Sequence, residues 1–496
     1  MMIDVIEKNT RKYINSTNKS QRKNNGQFFT SKRTAMFMSS FIQKNKLKSK
    51  VKILDPGCGS LMLSAALLQK IASIKKVKEV ELTLYENDTS ILDLLYENMQ
   101  VLKQFAEKEN INLNIILKEE NYILSNINQW HNPSNYFDIV ICNPPYKKIR
   151  KISEESNAMK EIVYGQPNLY YLFMAMSVQL LKDGGDFIFI IPRSWTSGLY
   201  FTKFREFLFS KMNTKCLHLF KSRNNVFDNE EVLQETMIFY ATKDEPNLNE
   251  FIKISTAKSN SDLNDRDILY IRNESCIQNF NGRFMFLPVN EEEVDILNHL
   301  NQFNSTLKET GFKIKTGPLV EFRNKDFLSN DTQDYPIICT SHLVNGRVLF
   351  PNQIEEFQYI KNEAKLKLLE NKDYLLLKRL SSKEENRRLQ PAIYLRETLS
   401  NYEFICIDNH INYLIKTDGN MHRDELLGLY VIFNSSYWDM YYRILNGSTQ
   451  VNANEINDMP IPEIELIIEL GRRAKENQSV DYCDKLIREV LFNENR

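Results

Sequence analysis

Asn143, Pro144, Pro145 and Tyr146 follow directly on the apolar run 137–142. Two consecutive prolines fix the backbone and remove two N–H donors, and each holds the residue before it extended. What remains is a rigid display of acceptors, the Asn143 side-chain oxygen and the Pro144 carbonyl, with the Tyr146 ring beside them. Such a display suits methylation of an aromatic amine. That nitrogen is a poor nucleophile because its lone pair is delocalised into the ring. Two acceptors on its hydrogens draw it towards a tetrahedral shape and localise the pair. With a sulfonium as methyl donor, no strong base is needed before attack, and the barrier falls through positioning and charge stabilisation. Tyr146 can stack on a flat target and offer its π face to the cationic donor. A base inside a duplex cannot reach such a site and must be flipped out.

A donor needs its own cradle, and three strand ends supply candidates. The first is Asp55-Pro56-Gly57-Cys58-Gly59-Ser60. Glycines there permit unusual dihedrals and close approach of a ligand, and the helix that follows offers free N–H groups. The dinucleotide pattern G-x-G-x-x-G is absent. About thirty residues on, a second strand ends in Glu86, placed to accept both ribose hydroxyls of a nucleoside. A third ends in Asn121-Tyr122, an amide and a ring that could pair with and flank an adenine. Upstream, Gly26-Gln27-Phe28-Phe29-Thr30 opens a helix carrying Met36, Phe37 and Phe41, with Thr30 where an N-cap would sit.

The elements that must hold these loops alternate regularly. Strands are expected at 51–55, 80–85, 113–117, 137–142 and 186–191, and helices at 61–74, 90–105 and 169–181. This rhythm predicts a parallel α/β sheet with helices on both faces, and ligands then sit beyond the carboxyl ends of the strands. Residues 244–275 are polar and irregular and read as a linker or loop. The remainder, 246–496, reads as a separate α+β region with terminal helices at 464–473 and 480–492.

The 496 residues carry 64 Lys and Arg against 64 Asp and Glu, and so no net charge. The distribution is uneven. Lys8, Arg11, Lys12, Lys19, Arg22, Lys23, Lys32 and Arg33 face only Asp4 and Glu7 in the first forty positions, a basic arm that could meet phosphate locally. Seven scattered cysteines form no zinc-spaced cluster, so no metal is expected. They suit a reducing compartment. No apolar run is long enough for a membrane span, and the first twelve residues lack a secretory signal. A cytoplasmic protein without membrane contact is expected.

Taken in order, the segments 26–30, 53–60, 84–88, 138–146 and 184–195 resemble those of the gamma-type N6-adenine DNA methyltransferases of restriction–modification systems, the TaqI-, PstI- and Eco57I-like modification methylases. The resemblance implies a Rossmann-like S-adenosylmethionine-dependent methyltransferase domain, α/β in class, with a C-terminal α+β target-recognition domain. It divides the chain into a basic arm (1–24), a catalytic domain (25–245) and a DNA target-recognition domain (246–496). It implies that Thr30, Asp55, Gly57, Glu86, Asn121 and Tyr122 contact S-adenosylmethionine, and that Asn143, Pro144 and Tyr146 hold the adenine. Phe227 would stack on its other face. Asn121 departs from the family, which often has Asp there. Lys315-Thr316-Gly317-Pro318 with Arg323, residues 374–388 and residues 446–460 resemble the recognition region. In the second of these, Lys378, Arg379, Lys383, Arg387 and Arg388 form a basic cluster fit for phosphate. The implied activity is site-specific methylation of adenine N6 in double-stranded DNA, protecting it from a cognate restriction endonuclease acting separately. A monomer is expected. No PD-(D/E)xK nuclease arrangement is recognised, so a stand-alone methylase is expected. The same motif also serves methylation of a protein glutamine or an RNA base, which is the alternative reading.

Overall fold

The computed structural model describes residues 1–17, 28–220, 236–278, 284–364, 367–381, 385–446, 450–474 and 479–493. The chain divides into two compact units, Met1–Val289 and Asn290–Arg496.

The first unit is built on a nine-stranded sheet: β1 (Lys50–Pro56), β2 (Glu79–Tyr85), β3 (Asn112–Lys118), β4 (Phe137–Cys142), β5 (Leu181–Pro192), β6 (Asn213–Phe220), β7 (Thr236–Thr242), β8 (Phe251–Ala257) and β9 (Asp267–Arg272). Their spatial order is β3-β2-β1-β4-β5-β7-β6-β8-β9. The five strands from β3 to β5 are parallel, and β7 runs antiparallel between β5 and β6. Central strands such as β4 and β5 are apolar runs buried on both faces, as a covered parallel sheet requires. The order reverses between β1 and β4, and the crevice at such a switch point is where ligands bind.

Six helices matter for the site: α1 (Met2–Ser16), α2 (Lys32–Ser39), α3 (Met62–Ile74), α4 (Leu92–Lys108), α5 (Glu154–Ala158) and α6 (Leu169–Leu180). Along α6 every residue from Tyr170 to Leu180 is buried, so it lies within the core rather than on it.

Two expectations change. The first sixteen residues are not a free arm. They include α1, which buries Met2, Ile3 and Ile6 in the core shared with α3, and Asn9 Nδ2 donates to Asn98 Oδ1 of α4 at 3.0 Å. An apolar stripe hidden among lysines turns them into packing. Residues 18–24 of that arm lie outside the described residues. The division between units also falls at 289/290 rather than 245/246. Residues 251–272, expected as a linker, add β8 and β9 to the sheet. Strand β9 is an edge that exposes Ile268, Tyr270 and Arg272, and β8 carries Lys253, Ser255 and Thr256. Strand β8 breaks its apolar residues with these three, and β9 offers only the four apolar residues 268–271.

The second unit is α+β. A six-stranded and a five-stranded sheet accompany helices Arg423–Asn434, Ser436–Leu445, Ile464–Arg473 and Val480–Leu491. Two of these helices cross backbone to backbone. A Cβ on Gly428 would lie 1.9 Å from the Ile467 carbonyl oxygen, and one on Gly471 would lie 1.8 Å from that of Asp424. Gly317, in the family-like stretch 315–318, is equally constrained: its Cβ would meet the Asp408 carbonyl oxygen at 2.1 Å. That glycine serves packing.

Candidate active site

A cavity of about 470 Å³ opens at the carboxyl ends of β1 to β4, a size suited to a nucleoside-sized ligand. The β1 loop enters it through Gly57 and Gly59, both at positive φ (80° and 51°). A Cβ at Gly57 would only touch Phe173 of α6, 3.5 Å away, so it is the positive φ that calls for glycine there. The loop is tied to the neighbouring strand. Gly57 and Cys58 both donate their N–H to the Tyr85 carbonyl, at 2.9 and 3.0 Å, and Gly59 donates to Glu86 Oε2 at 3.1 Å. Glu86 Oε1 accepts from the Asn87 and Asp88 amides, each at 3.0 Å. Burial pushes the Glu86 carboxyl up, against the pull of these three N–H groups.

Asp55 is set deeper. It is 1% exposed, is not among the residues lining the cavity, and accepts the Ser64 hydroxyl at 2.6 Å through Oδ2. Its Oδ1 is buried with no hydrogen-bond partner among the described residues. Burial first, and the nearby Glu86 charge second, push its carboxyl up to about 7. A buried acid held this way favours a cationic neighbour, because a positive charge restores its ionised form.

At the end of β3, Asn121 and Tyr122 both line the cavity. Asn121 has both ends of its amide engaged. Its Oδ1 accepts from the Ile123 and Leu124 amides at 3.1 and 3.2 Å, and its Nδ2 donates to Glu155 Oε1 of α5 at 2.9 Å. Tyr122 is 2% exposed, gives an aromatic wall with Tyr85 and Phe173, and pairs its hydroxyl with Ser177 at 2.8 Å.

The β4 loop contributes Asn143 and Pro145 to the wall. Asn143 Nδ2 donates to the Phe28 carbonyl at 2.7 Å and to Thr30 Oγ1 at 3.0 Å. Its Oδ1 is buried with no partner among the described residues. Tyr146 is half-buried, donates its hydroxyl to the Ile190 carbonyl at 2.9 Å, and has the Phe28 ring 5.6 Å away. Pro144 is buried.

Gly57, Glu86, Asn121, Tyr122 and Asn143 are thus brought to one cavity. Thr30 is not among the residues lining it. Buried at 7% exposure, it holds the Asn143 amide, and the N-cap of α2 is Ser31, which accepts from the Thr34 amide at 3.2 Å. Phe227 and Lys383 lie outside the described residues. Residues that sequence reasoning missed include Glu155, Phe173 and Lys147. Phe173 reads as ordinary core, and Glu155 sits in a polar stretch with no motif.

In the second unit, Arg388 is corrected. It is fully buried, donates to Ser381 Oγ at 3.0 Å and lies over the Tyr442 ring at 5.5 Å, so it cannot meet a phosphate. Arg387 spends its guanidinium on the Leu389, Phe433 and Ser435 carbonyls at the end of helix Arg423–Asn434, a cation's usual place at a helix C-terminus. Lys378 pairs with Glu385 at 3.1 Å, and Arg379 reaches the Asn409 carbonyl and Gln450; both remain partly exposed.

No helix among the described residues is long and apolar enough to cross a membrane. The Eco57I restriction-modification methylase family matches residues 59–227. The type II methyltransferase M.BsuBI of Bacillus subtilis is 32% identical over 481 residues, covering 95% of this chain and 94% of that protein. The type II methyltransferase M.PstI of Providencia stuartii is 29% identical over 483 residues, with 95% and 94% covered. Among solved structures the likeness is distant: the type IIG restriction endonuclease BpuSI gives a TM-score of 0.44 and 13% identity over 94% of this chain and 66% of that one. Methylation of a protein glutamine or an RNA base is set aside by this kinship. The chain belongs to the type II restriction–modification methyltransferases, enzymes that methylate DNA with S-adenosylmethionine as donor.

Proposed function

We propose that the methyl acceptor is N6 of an adenine flipped out of duplex DNA. One observation carries this reading: Asn143 has both fixed acceptors on its NH2 side and a buried, unpartnered oxygen on the other. The orientation of the amide is therefore set before any substrate arrives, and the free end is an acceptor. An exocyclic amine is the group that satisfies it. Asn143 Oδ1 takes one N6 hydrogen and the Pro144 carbonyl takes the other, which localises the nitrogen lone pair for attack. Tyr146 stacks on the base, its ring angle held by the Ile190 carbonyl.

S-adenosylmethionine supplies a methyl group on a positively charged sulfur. The residues present fit it. Gly57 and Gly59 leave room at the β1 loop, Glu86 suits the ribose hydroxyls, Tyr122 walls the adenine, and the raised carboxyl of Asp55 is the buried acid that a nearby cation would ionise. Thr30 acts through Asn143. Lys378, Arg379 and Lys383 meet phosphate. The chain acts as a monomer and protects sites from a cognate restriction endonuclease that is a separate protein.

The test is transfer of tritiated methyl groups to duplex DNA, followed by mass spectrometry of the released nucleosides. N6-methyladenine is expected. Label confined to N4-methylcytosine, or found in no DNA base, sinks the reading.

A further inference from the structure

Immediately after the Asn143–Tyr146 loop runs Lys147-Lys148-Ile149-Arg150-Lys151, four cations in five residues of a chain with no net charge. The run is pinned along its backbone. Leu169 donates its N–H to the Lys147 carbonyl at 2.9 Å, and Ile149 donates to the Pro167 carbonyl at 3.0 Å. An antiparallel bridge joins Lys148 to Asn168, the residue that caps α6 through its side chain. At the far end, Arg150 gives its carbonyl to the Ser153 amide and the Ser156 hydroxyl, each at 3.0 Å. The backbone is thus fixed at both ends, with Lys148, Arg150 and Lys151 exposed.

All four cations are exposed, and none makes an ion pair among the described residues. Elsewhere in the same unit, exposed lysines find carboxylates: Lys50 with Glu79 and Lys75 with Glu109. The acids beside the run do not neutralise it: Glu155 holds Asn121 in the cavity, and Glu154, in the first turn of α5, makes no ion pair among the described residues. Ile149 and Lys147 line the cavity, while Ile152, next beyond the run, is 78% exposed. The cations therefore lead from the cavity rim out to the surface.

We propose that residues 147–151 form a phosphate-binding arm of the catalytic unit, holding the backbone of the DNA strand that flanks the extruded base. Residues 147–150, ahead of the turn that the Arg150 carbonyl closes, reach at most about 13 Å, against one phosphate per roughly 3.4 Å of axis on each strand. The arm can therefore follow several consecutive phosphates. Because the backbone is already fixed, little backbone entropy is lost when a polyanion arrives, and the contact carries no sequence information. Its role is affinity and register at the site of extrusion, whatever the recognition sequence. It rests on DNA being the substrate.

The test is the triple variant Lys148→Ala, Arg150→Ala and Lys151→Ala, leaving Lys147 at the cavity. Duplex affinity is measured for cognate and unrelated DNA as salt is varied, beside S-adenosylmethionine binding by calorimetry. Cognate and unrelated DNA should both weaken by roughly a hundredfold at low salt, and the slope of log K against log salt should become shallower by about 2 to 3. Cofactor binding should be unchanged. The charge-keeping variant Lys148→Arg, Arg150→Lys and Lys151→Arg should bind as the parent does. An unchanged slope, a loss confined to cognate DNA, or an equal loss in the charge-keeping variant overturns the proposal. Failure of the parent itself to bind duplex DNA would instead overturn the DNA reading on which it stands.

Discussion

The loops after β3 and β4 each place an asparagine on the same cavity, and the fold commits the two amides in opposite directions. In the β4 loop, Asn143 gives its NH2 group to Phe28 and Thr30 and keeps its oxygen. In the β3 loop, Asn121 gives its oxygen to two backbone amides and its NH2 to Glu155. An amide is a donor and an acceptor on one plane, so its use is decided by whichever end the surrounding backbone has already claimed. The first loop leaves an acceptor for substrate. The second leaves none of its own, and the carboxylate beside it, Glu155, becomes the open acceptor of that wall.

Removing the amide at the first loop should have the largest effect. Asn143→Ala is expected to cut kcat by at least about a hundredfold, the scale for losing one aligned polar group at a reacting centre. Calorimetric binding of S-adenosylmethionine should stay within a few-fold. If kcat survives, the asymmetry between the two asparagines has no catalytic meaning. Thr30→Val removes one of the two acceptors that fix Asn143. A loss of about tenfold in kcat, roughly 1.4 kcal/mol, is expected, with KM for the cofactor unmoved. A rise in cofactor KM alone would make Thr30 a cofactor contact after all.

At the second loop, Asn121→Asp keeps the acceptor that caps Ile123 and Leu124 but sets a carboxylate against Glu155. The cofactor KM should rise several-fold with kcat nearly constant. Adding Glu155→Gln should recover most of that rise, and the cycle of single and double variants measures the coupling, within the 0.5–3 kcal/mol usual for contacting pairs. Additive effects would show that the two side chains do not act together. The smallest change is expected for Arg379→Ala in the second unit. Its guanidinium is partly spent on the Asn409 carbonyl and Gln450, so the DNA salt slope should fall by no more than about 1.

Much of the catalytic half was legible in its sequence because its signals are local. The apolar runs of β1, β4 and β5 are bounded by glycine or proline, that of β2 ends in Glu86-Asn87-Asp88, and Asn143-Pro144-Pro145-Tyr146 fixes its own backbone. What escaped depends on distant partners. Glu155 reaches the cavity because residues 147–149 pair with 167–169, a contact no spacing announces. Thr30 reads as a cap until Asn143 is seen to claim its hydroxyl. Arg388 stands in a run of lysines, glutamates and arginines that looks solvated, yet Tyr442 and the Asn446 carbonyl draw it inside. Strand β8 escaped because Lys253, Ser255 and Thr256 interrupt its period, and β9 because its apolar run, residues 268–271, is only four long.

The Tyr85 carbonyl, which accepts both the Gly57 and Cys58 amides, has a further consequence. Together with the Gly59 amide on Glu86, it cross-links the tips of β1 and β2 through the chain's own groups. The amides of this loop should therefore exchange slowly with solvent deuterium even in the free protein. Cofactor capture should resemble entry into a ready mould, with little ordering of the chain charged against its affinity.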